Sequence, residues 1–437
     1  MKKINTKLDL EQFKEFKRIG VLSLSNYLWK NRDFWEKQKI SFLKNNIKNP
    51  DVKYAGVKKE KINKKIVNLK VFLEKIEKDS PLLQAAYLPK IKEKIVAWEA
   101  LAACLEGADE DFSAMSKKLF GVPEPQIFRE AVGEVRKNIK KSITGGKGEE
   151  NQSALEVAAV FPEVPDDLIN SKNLPPAVDI KKVRHSLEEE FPGIFELIHN
   201  LKNEKYNARE IAKLFTIALK KISITDWDVE VRYNGRGAIS VDVAEKKVFI
   251  PSQRVLRGNL LGSLLIHEVG THLVRARNGS ESPLLLLGRG LDHYETAEEG
   301  IATVREQAVR NKIEDFEGLD GYLAVSLALG MDGKPRNFRQ LYEVIQPYLY
   351  WRFVKKGYQT ALTKSKNWAW YRCLRVFLGT SGLTPGACYT KDIIYRAGNI
   401  KIWNLIKQNP ESLKKFNIGK FDPTNQAHLK IIKNLGL

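Results

Sequence analysis

Apolar residues Ile62, Ile66, Leu69, Leu73 and Ile76 recur at intervals of three and four, the spacing of one buried helix stripe. Residues 1–142 read as helices throughout, over 8–19, 26–44, 59–78, 86–105 and a further pair ending near Lys141. Thr144-Gly145-Gly146-Lys147-Gly148 then opens a Gly- and Pro-rich stretch, so that 143–177 is expected to be a linker. Beyond it the period changes. Asp228-Val229-Glu230-Val231-Arg232-Tyr233 and Ile239-Ser240-Val241-Asp242-Val243 alternate apolar with polar, and Lys247-Val248-Phe249-Ile250 follows. With Asn234-Gly235 and Glu245-Lys246 as turns, these predict a small antiparallel sheet of two or three strands. Pro251-Ser252 is a helix start and Asn278-Gly279 a stop, which frames one long apolar helix between them. The expected architecture is α+β and predominantly helical: a helical region at 1–142 and a further unit at 178–437. Trp368, Trp370, Tyr371 and Phe377 are expected in its core, with room for one of them to floor a pocket.

That apolar helix carries His267-Glu268-Val269-Gly270-Thr271-His272. Two imidazoles and one carboxylate bind Zn²⁺ with three protein ligands and leave a fourth position for water, as a catalytic site requires. Acids recur downstream in Glu298-Glu299-Gly300-Ile301-Ala302, at the start of another helix. The histidines stand five residues apart, whereas H-E-x-x-H places them four apart on one helix face. On a regular α-helix five residues turn roughly 500°, leaving the rings about 140° apart. A π-bulge would bring them together, and Gly270 lies inside the interval, where a distorted turn is easiest. Against this, solvated helices often carry His and Glu, and Thr296-x-x-Glu299 fits a capping box. The combination of motif, short loop and acid-bearing helix favours a zinc hydrolase. A small sheet ahead of the metal helix also fits a zincin-like layout, in which an edge strand can hold an extended peptide.

The chain resembles a family of metallopeptidases that includes the microtubule-associated tyrosine carboxypeptidases, with bacterial members described by a Gln-Glu-Gly-Leu-Ala motif. The resemblance rests on the 267–272 block with Arg275, on 298–302, on Tyr389-Thr390-Lys391-Asp392 with Tyr395 and Gly398, and weakly on 115–123. It extends from about residue 50 to about 410. Glu298 stands where many bacterial members have Gln, and Ile301 replaces Leu; neither is expected to touch the ligands. The resemblance implies zinc held by His267, His272 and Glu299, with Glu268 as general base passing a proton to the leaving amine. Lys391, Arg375 and Tyr395 are candidates to hold a substrate carboxylate or carbonyl. Tyr294 and His293 are weaker candidates to donate to an oxyanion, an ordinary loop role being the simpler reading. For Arg275 the simpler reading is a cation at the end of the metal helix, favourable to its dipole. His185, His199 and His428 receive no role.

The net charge of +20 brings a competing picture. Residues 1–72 hold 19 Lys/Arg against 7 Asp/Glu, and residues 391–437 hold 9 against 3, so the excess lies mostly outside the metal segment. A basic N-terminal region suits an acidic partner, although lysine on solvated helix faces explains it as simply. Nucleic acid is disfavoured, since no zinc-finger spacing, aromatic RNA-binding signature or Walker loop occurs. Cys104, Cys373 and Cys388 lack C-x-x-C spacing, no run reaches 18 apolar residues, and the N-terminus lacks the apolar stretch of a secretion signal. These features predict a cytoplasmic protein with no membrane span. The expected activity is a zinc metallopeptidase acting on peptide or protein C-termini. The alternatives are an endopeptidase and a non-enzymatic basic binding protein with a structural or degenerate metal site.

Overall fold

A computed structural model describes residues 7–20, 22–29, 32–52, 54, 56–163, 174–233, 238–243 and 245–437. The N-terminal helices are α1 (Leu10–Ile19), α2 (Leu24–Leu28), α3 (Arg32–Leu43), α4 (Lys59–Ile76), α5 (Pro81–Glu106), α6 (Asp109–Phe120) and α7 (Pro125–Gly145). The predicted stripe of α4 is inward: Ile62, Leu69 and Ile76 are buried, and Ile66 and Leu73 pack beside them. The helix expected over 26–44 is instead divided between α2 and α3. Within the expected linker lies α8 (Glu149–Val160), whose Ala154 and Val157 enter the same core as α7. Its Gly-rich lead is therefore a helix–helix turn, a short-range feature that residue composition does not distinguish from a linker.

Among the described residues, two apolar cores organise the fold. One joins α1–α8 to α15 (Leu319–Leu329), α16 (Phe338–Lys355) and α17 (Ala361–Phe377), and Phe42 packs edge-on against Phe338 and Tyr342 within it. The other gathers α9 (Ala177–Glu190), α10 (Pro192–His199), α11 (Ala208–Lys221) and one face of the sheet around the motif helix. Trp370 and Phe377 are core residues as expected, whereas Trp368 is 53% exposed. Among the described residues, no helix is long and apolar enough to cross a membrane.

The strands are β1 (Lys205–Tyr206), β2 (Asp228–Arg232), β3 (Ser240–Asp242), β4 (Lys247–Pro251) and β5 (Leu256–Arg257). β1 pairs with β5, and the other three form a sheet of order β2-β4-β3. The expectation of an antiparallel sheet needs correction: β3 pairs antiparallel with β4, but β2 pairs parallel to it. Val248, Phe249 and Ile250 are buried on both faces, so β4 takes the centre. The Glu245-Lys246 turn, with Lys246 in the left-handed region at φ 51°, makes the β3–β4 hairpin, and β2 occupies the remaining edge. Apolar alternation fixes which face is inward and is silent on strand direction. The Asn234-Gly235 turn lies outside the described residues.

The motif helix begins at Gly258, after β5, rather than at Pro251-Ser252, because β4 runs on through Pro251. It comprises α12 (Gly258–Leu264), a π-helix over Leu265–Leu273 and α13 (Val274–Glu281). Asn278-Gly279 does not stop it; Ser282 does. Leu261, Leu265, Ile266, Val269 and Leu273 are all fully buried, holding the helix in the second core. Against it lies α14 (Glu295–Arg310), which α18 (Ile393–Gln408) crosses on the other side; α19 (Gln426–Asn434) ends the chain.

Candidate metal centre

The π-helix meets the five-residue spacing. Its wider turn leaves His267 and His272 with ring centroids 4.8 Å apart and their Nε2 atoms 3.1 Å apart. Widening a turn also strands backbone carbonyls, and side chains recover them. Thr271 donates its hydroxyl to the Ile266 carbonyl at 3.0 Å, and the buried Arg305 donates to the Gly270 carbonyl at 2.6 Å. Gly270 matters mainly for packing, since a Cβ there would stand 3.3 Å from Ile266 Cδ1.

Glu299 does not form the capping box; no side chain caps α14, and the Glu299 carboxylate faces the two rings. Its Oε2 lies 3.8 Å from His267 Nε2 and 3.9 Å from His272 Nε2. All three candidate ligand atoms fall within 4.8 Å of one another, the only such trio of His, Cys, Asp or Glu among the described residues. Two nitrogens each about 2.0–2.1 Å from one tetrahedral zinc stand roughly 3.3 Å apart, close to the separation here.

The far side of each ring supports the same use. His272 Nδ1 is 3.0 Å from Glu298 Oε1, and His267 Nδ1 is 2.5 Å from Glu306 Oε1. The second contact lies off the N–H direction, so Glu306 acts chiefly through its charge. Carboxylates on Nδ1 leave Nε2 free for a metal and strengthen it as a donor. Burial opposes charge on His267, but Glu306, then Glu268 and Glu299, raise its pKa to about 10. An environment that rewards a proton on that ring rewards a cation in its place. The donor set therefore fits a zinc-sized dication. Glu268 is 7% exposed; burial lifts its pKa above the usual carboxylate range against the pull of His267 and His272. Among the described residues nothing pairs with its carboxylate, so it can accept a proton.

Two expectations are overturned here. Glu298 does touch a ligand, because its position one residue before Glu299 puts it on the His272 side of α14. Arg275 is not a cation at the helix end, since the helix runs on to Glu281: it is fully buried, donating to Glu298 at 2.6 Å and to the carbonyls of Phe416 and Phe421. Burial opposes the Glu298 charge, yet Lys420, Arg275 and His272 hold its pKa well below the carboxylate range. Glu306 was missed, although it follows Glu299 by seven residues and so shares its helix face. Arg305 and Lys420 left no comparable signal. His428 is also structural, with Nε2 3.1 Å from Asp292.

The five substrate candidates separate. Tyr395 and Arg375 line a cavity of about 1230 Å³ that also contacts Arg310, whose guanidinium pairs with Glu306 at 3.5 Å. Lys391 and His293 line a small pocket of about 60 Å³; there Lys391 pairs with Glu295 at 2.9 Å, and His293 meets the Leu119 carbonyl at 3.1 Å. Tyr294 packs between Lys90 and Lys420, with their ammonium groups 5.1 and 5.7 Å from its ring centre.

Residues 195–314, spanning the sheet, the motif helix and α14, match the family model described as microtubule-associated tyrosine carboxypeptidase. Microtubule-associated tyrosine carboxypeptidase 1 of Mus musculus is 26% identical over 146 residues, 32% of this chain and 27% of that protein. Its counterpart in Rattus norvegicus gives the same figures. The match thus spans about a quarter of the length of these relatives. The 115–123 and 389–398 blocks lie outside the matched residues. The segment that brings both histidines and Glu299 together, residues 195–314, carries the microtubule-associated tyrosine carboxypeptidase family domain.

Proposed function

We propose that this chain is a zinc-dependent peptidase that removes residues from polypeptide C-termini, with a zincin-like metal helix. The observation that carries it is the convergence of His267, His272 and Glu299 beside a buried, unpaired Glu268. His267, His272 and Glu299 would hold the ion. When bound there, zinc supplies Lewis-acid chemistry, polarising a carbonyl oxygen and acidifying water.

Glu298 orients the His272 ring from behind, and Glu306 lends His267 its negative charge, so that both Nε2 atoms are strengthened as donors. Glu268 takes the proton from attacking water and returns it to the departing amine; a raised pKa brings it nearer the balance point for both transfers. Tyr395, close to Glu299 on the cavity wall, is positioned to donate to a carbonyl oxygen. C-terminal action follows the activity named in the relatives; what they release, a tyrosine, is a candidate product here.

Metal analysis and a peptide panel test this reading. Wild-type chain loaded with zinc should carry about one ion and shorten peptides from the C-terminus. Glu268→Gln should keep the ion and lose hydrolysis by about a hundredfold or more, whereas His267→Ala and His272→Ala should lose both. A zinc-loaded Glu268→Gln variant with wild-type turnover would remove Glu268 from its role. Internal cleavage products would replace the carboxypeptidase by an endopeptidase.

A further inference from the structure

Asp392, 5% exposed at the head of α18, holds two guanidiniums. Arg375 donates from Nε to Oδ2 at 2.7 Å and from Nη2 to Oδ1 at 2.5 Å, and Arg372 donates from Nη1 to Oδ2 at 2.9 Å. One carboxylate thus faces two cations. The other carboxylates on the walls of the large cavity are each met by a cation, so positive charge is in surplus at this pair and at Lys356, which also lines the cavity. Arg372 Nε and Nη2 have no hydrogen-bond partner among the described residues, and both arginines line the cavity.

Position gives this surplus a use. Tyr395 lines the same cavity one turn of α18 before Gly398, and Gly398 packs directly on Gly300, the residue after Glu299. The arginines therefore share a cavity wall with the helix that packs beside Glu299. Beside them opens a recess of about 390 Å³, lined by Leu349, Tyr371 and the half-exposed Trp368. A side chain could enter that recess while the adjoining carboxylate met the guanidiniums. A peptide carboxylate leaving water needs such charged, forked donors.

We propose that Arg372 and Arg375, aligned by Asp392, form the subsite for the terminal carboxylate of a peptide substrate. Asp392 is a positioning residue: it fixes both forks and leaves the pair one charge short of neutrality. The proposal rests on the peptidase reading and deepens it, and it also applies to binding without turnover.

The test uses the zinc-loaded full-length Glu268→Gln chain and two pools of peptides randomised at their last three positions. One pool ends in free carboxylates and the other in C-terminal amides. The free acids should be retained roughly tenfold or more better than the amides, and Arg372→Gln should erase that preference. Arg372→Lys, which keeps charge and loses the fork, should recover only part of it. Should Arg372→Gln fail to fold, the comparison of pools on the parent chain decides alone. Equal retention, retention of neither pool, or retention of amides selected for Asp and Glu side chains would overturn the terminal-carboxylate assignment. Hydrolysis by the wild-type chain without acid preference would sink the subsite and leave the peptidase standing. Acid-selective binding with no turnover would do the reverse.

Discussion

The Glu298 carboxylate divides its oxygens between two tasks. Oε1 orients His272 at 3.0 Å and meets Lys420 at 3.4 Å, while Oε2 neutralises Arg275 at 2.6 Å. Removing its charge would leave a fully buried guanidinium with only backbone carbonyls and would free the His272 ring to turn. Glu298→Gln keeps the shape and an acceptor oxygen, so the fold should survive at a cost of about 1–3 kcal/mol, with weaker zinc binding. Denaturant unfolding of the metal-free protein and a competitive zinc titration measure the two effects separately. An unchanged unfolding midpoint would show that Arg275 does not depend on Glu298. His267, Glu268, His272 and Glu299 stood out as candidates because their chemistry is local and their spacing short, and the fold brings His267, His272 and Glu299 together. Glu298 was visible too, but its contact depends on which way α14 faces, and Lys420 arrives from more than a hundred residues away.

At the scale of elements, the π-helix and the α14–α18 crossing together set the metal-facing geometry. The spacing of the histidines demanded an extra residue per turn, and the widened segment spans the whole of Leu265–Leu273 rather than one bulge. Arg305, which secures the Gly270 carbonyl, was not foreseen because a single arginine among so many carries no pattern. The crossing depends on two glycines. A Cβ on Gly300 would lie 2.3 Å from the Gly398 carbonyl oxygen, and one on Gly398 would lie 2.0 Å from that of Thr296. Backbone atoms cannot yield as a flexible side chain would. Gly300→Ala should therefore push α14 and α18 apart, cost about 1–3 kcal/mol or more, and shift Glu299 relative to Tyr395. Thermal unfolding with a zinc titration would register this; wild-type values for both would mean that the helices slide freely. Both glycines stood in the blocks that carried the resemblance, yet nothing in the sequence told that they touch each other. Strand direction was likewise hidden, since alternation in β2 and β3 reports faces only.

Across the whole molecule, residues remote in sequence are brought together where the two cores adjoin. The candidate metal ligands stand on helices of the second core, whereas Arg372 and Arg375 belong to α17, whose neighbours Cys373 and Leu374 sit in the first. A predominantly helical α+β architecture was legible from apolar periodicity. The shared core of α1–α8 with α15–α17 was not, because such pairing depends on contacts spanning hundreds of residues. The basic N-terminal excess stays outside the metal segment, so the charge at the site is governed by local pairs rather than by the total of +20. Everything functional here depends on His267, His272 and Glu299 sharing one ion. Crystals of the zinc-loaded chain, with diffraction recorded on both sides of the zinc absorption edge, test that most directly. The account predicts a single anomalous peak about 2.0–2.2 Å from both Nε2 atoms and a Glu299 carboxylate oxygen. A peak elsewhere, or none, with Glu299 turned away from the imidazoles would contradict it.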